Sequence, residues 1–255
     1  MNPPSLFERF PILVGLSFAL LLSGCSTEPA ATDSDDWVSL FNGKDLTGWE
    51  IKTEEARSIW SVIDGVIDCQ PDKNIAGDKH LWSTQAYGNF QLKLEWRLKE
   101  LKGLYAMPTI LPDGSYLLDD KGQRITTPTP NADSGVLLRG VSKAQVNIWA
   151  WPIGSGEVYG YRNKQKDPVI RAGVTPKVKA DKPIGEWNAF VITMQGDRLT
   201  VELNGQLVLD RAQLPEVPEQ GPIALQHHGG YDKETDVWNG ASSLVQFRNI
   251  LIREL

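Results

Sequence analysis

The sequence predicts an all-β fold, a two-sheet antiparallel sandwich or jelly roll, and three observations predict it. Phe90-Gln91-Leu92-Lys93-Leu94-Glu95-Trp96-Arg97-Leu98 alternates apolar and polar residues without a fault, the period of a half-buried strand. Ala189–Asp210 holds two hairpin turns, Gln195-Gly196-Asp197 and Asn204-Gly205, and Asn-Gly between alternating residues is the strongest short hairpin signal. No window carries a helical period, and about ten short strands punctuated by Gly and Pro suit a sandwich.

The chain opens differently. Arg9 precedes an apolar run, Phe10–Leu22, of 13 residues. A membrane-spanning helix needs about 20, so the run reads as the apolar core of a signal peptide. It ends Leu22-Ser23-Gly24-Cys25, which resembles the lipobox of bacterial lipoproteins. Residues 1–24 are therefore expected to be a signal and Cys25 to be lipidated, stable anchoring needing two or more acyl chains. Ser26 stands where an aspartate would favour the inner membrane. The expected location is the cell envelope, at the outer membrane facing the periplasm, with the lipid anchor as the sole membrane contact. Thr27–Asp36 has no large apolar residue and reads as a flexible tether. The folded domain is then 37–255, one domain in length for an all-β chain.

Within it, strands are expected at Val38–Phe41, Ser58–Val62, Val66–Cys69, Phe90–Leu98, Gly135–Arg139, Gln145–Trp149, Pro222–His228 and Leu244–Arg253, beside the two hairpins. Two stretches, 99–132 and 152–185, break the strand pattern. Loops of such length in a compact domain are functional or disordered, and Tyr105, Tyr116, Tyr159 and Tyr161 favour packed cleft walls. With Cys25 lipidated, Cys69 is left alone, so no disulfide forms within the chain, and it reads as a small buried hydrophobe. The formal net charge is −6, and no basic stripe exists to release phosphate counterions, which argues against nucleic acid as a partner.

Strand parity divides inward from outward residues. Opposite the apolar set of Phe90–Leu98 stand Gln91, Lys93, Glu95 and Arg97. Opposite Val146 and Ile148 stand Gln145, Asn147, Trp149 and Trp151. Opposite Ile223 and Leu225 stand Ala224, Gln226 and His228. Amides and charges suit sugar hydroxyls, and indole rings suit the apolar faces of sugars. The same composition also fits surface charges with tryptophans filling gaps beneath loops.

Seven ordered motifs resemble one family, the 3-keto-disaccharide hydrolase domain, formerly domain of unknown function 1080. They are Val38-Ser39-Leu40-Phe41-Asn42-Gly43-Lys44-Asp45-Leu46-Thr47-Gly48-Trp49; Trp60-Ser61-Val62 with Asp64-Gly65; Tyr87-Gly88-Asn89-Phe90 running into Leu94-Glu95-Trp96-Arg97; Asp133-Ser134-Gly135-Val136 with Arg139; Glu186-Trp187-Asn188; Leu225-Gln226-His227-His228-Gly229; and Val245-Gln246-Phe247-Arg248-Asn249-Ile250. The resemblance covers essentially all of 37–255. It implies a jelly roll of the concanavalin A-like lectin/glucanase type and activity on glycosides oxidised at C3. The chain departs from the family at Gln145-Val146-Asn147-Ile148-Trp149, where an acidic residue is usual at the end, and in a longer insert between Gly230 and Ser243.

Such chemistry needs a base for the C2 proton, a stabiliser for the enediolate oxygen and a proton donor for the leaving oxygen. His228 is the candidate acid or base, since imidazole titrates near neutral pH. Glu95 is a second acid/base or a metal ligand. Arg139 and Arg97 are candidate oxyanion stabilisers, and Arg97, Gln145, Asn147, Trp149, Gln226 and Asp133 are candidate substrate contacts. Asp133 serves equally well as a turn-former. His227, by parity, faces the core and is expected to make a structural hydrogen bond. No cofactor is firmly implied, although Glu95, Asp133 and His228 form an O/N set that would suit Mg, Mn or Ca. The partner is a carbohydrate. Two rival functions remain, a non-catalytic carbohydrate-binding lipoprotein and a conventional glycoside hydrolase on the same fold. The latter, if retaining, needs two carboxylates about 5–5.5 Å apart, and Glu95 has no acid beside it on its strand.

Overall fold

Phe90–Leu98 forms a nine-residue strand whose burial alternates residue by residue, with Phe90, Leu92, Leu94, Trp96 and Leu98 all buried. The structure is a computed structural model describing residues 36–70, 78–101, 104–130, 132–232, 237–239 and 244–255, with backbone alone for 230–232 and 237–239. The expected signal peptide, Cys25 and tether up to residue 35 lie outside the described residues.

The strands in chain order are β1 Val38–Ser39, β2 Trp49–Ile51, β3 Trp60–Ile63, β4 Val66–Cys69, β5 Leu81–Tyr87, β6 Phe90–Leu98, β7 Leu104–Pro108, β8 Thr126–Pro130, β9 Asp133–Leu138 and β10 Val141–Trp149. They continue with β11 Asn188–Gln195, β12 Arg198–Leu203, β13 Gln206–Gln213, β14 Gly221–Leu225, β15 Gly230–Asp232, β16 Val237–Asn239 and β17 Val245–Glu254. An eight-stranded sheet runs β13-β12-β11-β6-β17-β4-β3, with β1 paired to β17; a five-stranded sheet runs β10-β9-β14-β5-β2. All described pairings are antiparallel. The inner faces of both sheets share one apolar core, in which Leu92, Trp96, Phe190 and Phe247 of one sheet meet Leu81, Val136, Val146 and Ile223 of the other. The fold is an antiparallel jelly-roll sandwich of the concanavalin type.

Tight turns make the sharp corners. Asn204-Gly205 joins β12 to β13 with φ of 53° and 77°. Asp64-Gly65 joins β3 to β4, and Arg139-Gly140 joins β9 to β10, again with both central φ values positive. That is the two-residue hairpin geometry whose twist matches the strands. Cys69 is buried in the core as a free thiol.

Of the two long stretches, the first folds over the outer side of the five-stranded sheet, and the second runs beside β10 and reaches β13 of the eight-stranded sheet. Residues 104–130 form an arm: β7 pairs with β8, and bridges Ile110↔Tyr116 and Leu118↔Arg124 carry it outward. Its tip is the Pro112-Asp113-Gly114 turn, where Gly114 N–H donates to Leu111 O at 2.8 Å. The second stretch contains two helices that periodicity does not reveal, α1 Tyr159–Arg162 and α2 Pro168–Gly173, of four and six residues. Neither is long enough to show a period. Asp167 caps α2 through Val169 N–H and Ile170 N–H, and Pro168 sits at its first position, where a missing N–H costs nothing.

The register of β6 carries an expected result. Leu94 is 1% exposed, while its neighbour Lys93 points outward over the Trp37 ring. Leu94→Asp should cost several kcal/mol by burying an unpaired charge, on the order of 3–5 kcal/mol; Lys93→Asp should cost less than about 1 kcal/mol. Equal melting temperatures for the two variants would contradict the register.

Candidate functional site

The outer face of the five-stranded sheet opposes the arm across a pocket of about 470 Å³. Its floor is built by parity. Val146 and Ile148 of β10 enter the core, so Gln145, Asn147 and Trp149 rise on the other side and line the pocket. In the register of β9 with β10, Asp133 stands opposite Trp149 and Gly135 opposite Asn147. A Cβ on Gly135 would sit 2.7 Å from Gln145 Cγ and Nε2. The missing side chain is what lets Gln145 lie across the strand. β14 stops at Leu225, yet Gln226 N–H still bonds Gly135 O at 2.9 Å, which carries Gln226 and His228 onto the same floor.

The three amides form one cluster. Gln145 Nε2 donates to Asn147 Oδ1 at 2.6 Å and to Gln226 Oε1 at 2.7 Å. Ser134 Oγ–H donates to the Gln226 carbonyl at 2.7 Å. Beside them His228 Nε2 lies 3.8 Å from Asp133 Oδ2. Burial pushes the Asp133 carboxyl up to about 6, against the pull of His228. A carboxyl that titrates there, next to an imidazole, can exchange protons close to neutral pH.

The walls are aromatic. Trp149 and Trp151 stack at 3.8 Å with their planes 7° apart. Tyr159 of α1 meets both edge-on, at 6.4 and 6.2 Å. Trp149 Nε1–H donates to Gly154 O at 2.6 Å, which fixes the ring. From the arm come Tyr105, Met107, Tyr116 and Arg124, with the Arg124 guanidinium 3.9 Å above the Tyr116 ring. Behind the wall, Glu157 and Arg162 form a wholly buried ion pair; burial raises the Glu157 carboxyl against the pull of Arg162.

The structure thus brings together Asp133, Gln145, Asn147, Trp149, Gln226 and His228. It separates three other expected residues from them. Glu95 belongs to the eight-stranded sheet, where its carboxylate accepts from Arg248 Nε–H at 2.6 Å. Arg97 shares that face, donating to Gln246 Oε1 at 2.7 Å and lying 4.7 Å over Trp187. Parity identifies the outward face of a strand but not which of two sheets it joins. Glu95 and His228 therefore stand on opposite faces of the sandwich, and Glu95, Asp133 and His228 cannot share a metal. Among the described residues no three His, Cys, Asp or Glu side chains are grouped to hold one.

Arg139 is the third. It sits in the β9–β10 turn, 2% exposed, and donates to Gly88 O, Gly196 O, Pro218 O and Asn89 Oδ1 at 2.9, 2.7, 2.9 and 3.3 Å. It clamps three chain segments and lines no part of the pocket. His227 is buried as parity expects, and burial holds its ring neutral, with its pKa brought down to about 3. The hydrogen bond expected of it has no partner among the described residues. Sequence reasoning missed Arg124, Glu157 and Arg162. Arg124 sits in a turn-rich stretch without period, and an i, i+5 acid–arginine pair carries no pattern of its own.

Three crystal structures from Parabacteroides distasonis ATCC 8503, each described as a candidate glycosyl hydrolase, share the fold. They are 23%, 22% and 19% identical to this chain, with TM-scores of 0.52, 0.52 and 0.51. The matches cover 86%, 86% and 87% of this chain and 84%, 99% and 94% of theirs. No curated protein matches the chain. A family model, the 3-keto-alpha-glucoside-1,2-lyase-like domain, matches residues 36–253, and the chain belongs to that family.

Proposed function

We propose that this protein is a carbohydrate-active enzyme that cleaves glycosides oxidised at C3. The observation that carries the reading is the Asp133–His228 pair beside the amide cluster in an aromatic-walled pocket. A C3 ketone acidifies the C2 proton. One member of the pair removes it, and the electron pair forms an enediolate. Collapse of the enediolate breaks the C1–O bond by β-elimination, with the leaving oxygen taking a proton from the other member. Water then adds across C1 and C2 to give the free 3-keto sugar. Gln145, Asn147 and Gln226 hold hydroxyls and the developing oxyanion, and Trp149 with Trp151 covers the apolar face of the sugar ring.

Two rival readings fare worse. A retaining glycosidase needs two carboxylates about 5–5.5 Å apart, and Asp133 is the one acid among the described lining residues. A purely binding module needs the aromatic walls and the amides but no acid/base, and here a carboxyl and an imidazole stand 3.8 Å apart in the pocket. The test is incubation of the purified protein with a 3-keto glucoside and its unoxidised parent side by side. Release of aglycone from the 3-keto form alone supports the reading. Cleavage of both supports a conventional hydrolase, and binding without cleavage a module.

The reading extends to location: export and anchoring through Cys25 in the cell envelope. Cys25→Ala should shift the protein out of the membrane fraction, and unchanged fractionation would exclude this anchor.

A further inference from the structure

The arm that roofs the pocket is tied down at its tip. Arg162 Nη1 donates to Gly114 O at 3.3 Å and Nη2 to the Tyr116 hydroxyl at 3.4 Å. Its guanidinium also lies 4.8 Å from the Tyr116 ring and 5.3 Å from the Tyr159 ring. The other ties at the tip are exposed: Arg171 to Asp113 O at 3.1 Å, Lys177 to Pro112 O at 3.4 Å, and Tyr116 OH to Asn163 Oδ1 at 3.0 Å. Exposed polar contacts hold little. Arg162 is 1% exposed and its counterion Glu157 is wholly buried.

Glu157 is in turn fastened to the floor. Asn147 N–H donates to Glu157 O at 2.9 Å, and Gly156 N–H donates to Asn147 O at 2.8 Å. The segment therefore runs as an extra rung beside β10. A continuous path joins floor to roof: Asn147, the Glu157 backbone, the Glu157 carboxylate, the Arg162 guanidinium, and Gly114 with Tyr116 on the arm. A buried ion pair is weak evidence of stability, because desolvation offsets the attraction. A planar fork with donors left over after pairing its acid is, by contrast, well suited to holding two chain segments at a fixed separation.

We infer that Arg162 is a positioning residue that latches the arm over the pocket and so governs admission of the ligand. It does not line the pocket and takes no part in the reaction. The inference rests on the proposed function only for its kinetic arm. Its first readout is amide hydrogen exchange of the full-length protein, which needs no substrate. The reporters are Leu117 N–H, bonded to Thr109 O, and Ile125 N–H, bonded to Leu117 O, both on the arm. In Arg162→Met these amides should exchange about tenfold faster or more, while those of β6 and β11 keep their protection. KM for a 3-keto glucoside should rise about tenfold with kcat nearly kept, the pattern of lost binding rather than lost chemistry. Arg162→Lys should recover part of both effects.

Unchanged arm exchange in Arg162→Met overturns the latch, as does a fall in kcat at constant KM. If that variant fails to fold, Arg162→Lys is compared with the doubly exposed-tie variant Asn163→Ala, Arg171→Ala. Arm opening in the lysine variant beyond that in the double variant supports the latch; the reverse order overturns it. Should the wild-type protein leave every 3-keto glucoside intact, the functional reading fails, and the exchange data still decide the latch.

Discussion

Arg139→Ala is expected to lower stability by about 2–4 kcal/mol, the scale for losing a buried side chain together with four hydrogen bonds. The guanidinium is the shared donor of Gly88 O, Gly196 O, Pro218 O and Asn89 Oδ1. Its loss breaks all four bonds at once; Gly196 and Asn89 are exposed and regain water, while Gly88 and Pro218 are half-buried, so the net loss is about 0.5–1.5 kcal/mol per bond. The substitution relieves no backbone strain, because alanine at φ 49° is as unfavourable as arginine. Arg139→Gly should be milder by about 1 kcal/mol for that reason. Arg139→Lys should recover little, since an ammonium on a flexible stem cannot reproduce a planar fork. Denaturant midpoints measure all three. Turnover per folded molecule should stay unchanged in each, and a selective loss of kcat in fully folded Arg139→Lys would restore the catalytic role that the geometry denies it.

His228→Ala should lower turnover of a 3-keto glucoside by about 10²-fold or more, the scale for losing an acid/base group. Its melting temperature should barely move, since the side chain is 44% exposed. The partner acid predicts the pH behaviour. The Asp133 carboxyl is raised from 3.8 to about 6 in the folded protein, so the folded state holds its proton more tightly than the unfolded chain. The resulting stability is fully present below about pH 3.8 and is lost as pH rises through about 6. Asp133→Asn should accordingly gain stability over the wild type above pH 6, on the order of 1–3 kcal/mol, and lose activity. If ionised Asp133 is required, wild-type turnover rises through about pH 6. A wild-type profile flat between pH 5 and 8 would exclude the carboxyl from the proton transfers.

How much of this was legible beforehand follows from what each signal encodes. The alternation of Phe90–Leu98 gives strand and face together, because side chains on a strand point alternately to its two sides. Asn204-Gly205 gives a hairpin, because few residue pairs accept two positive φ values. The same parity brings Gln145, Asn147 and Trp149 onto one face correctly, since they share a strand. It fails for Glu95, because membership of one sheet or the other is decided by long-range pairing that no local pattern records. Arg139-Gly140 reads like the end of a strand until its backbone is seen to turn. Strands β2 and β5 escape notice because Trp49–Ile51 has only three residues and Leu81–Tyr87 buries in runs rather than by alternation. Arg162 is legible only once the arm and α1 are seen to meet.

Gly135 places a limit on how this pocket can be redesigned. Most glycines that resist replacement do so because the backbone turns where L-residues cannot follow. Here the backbone is ordinary strand, and the obstacle is space already claimed by the Gln145 side chain and by the Val146 carbonyl oxygen, 2.8 Å from where a Cβ would sit. Position 135 is therefore constrained by the neighbouring strand, through the Gln145 side chain and the Val146 carbonyl, rather than by its own dihedral angles. In a saturation library varied at 135 alone, active clones should return glycine only. Varied jointly with 145, the same position should return glycine still, because a shorter partner frees only the space of the Gln145 amide and leaves the Val146 carbonyl in place; which hydroxyl the floor recognises is therefore open to change at 145 and closed to change at 135.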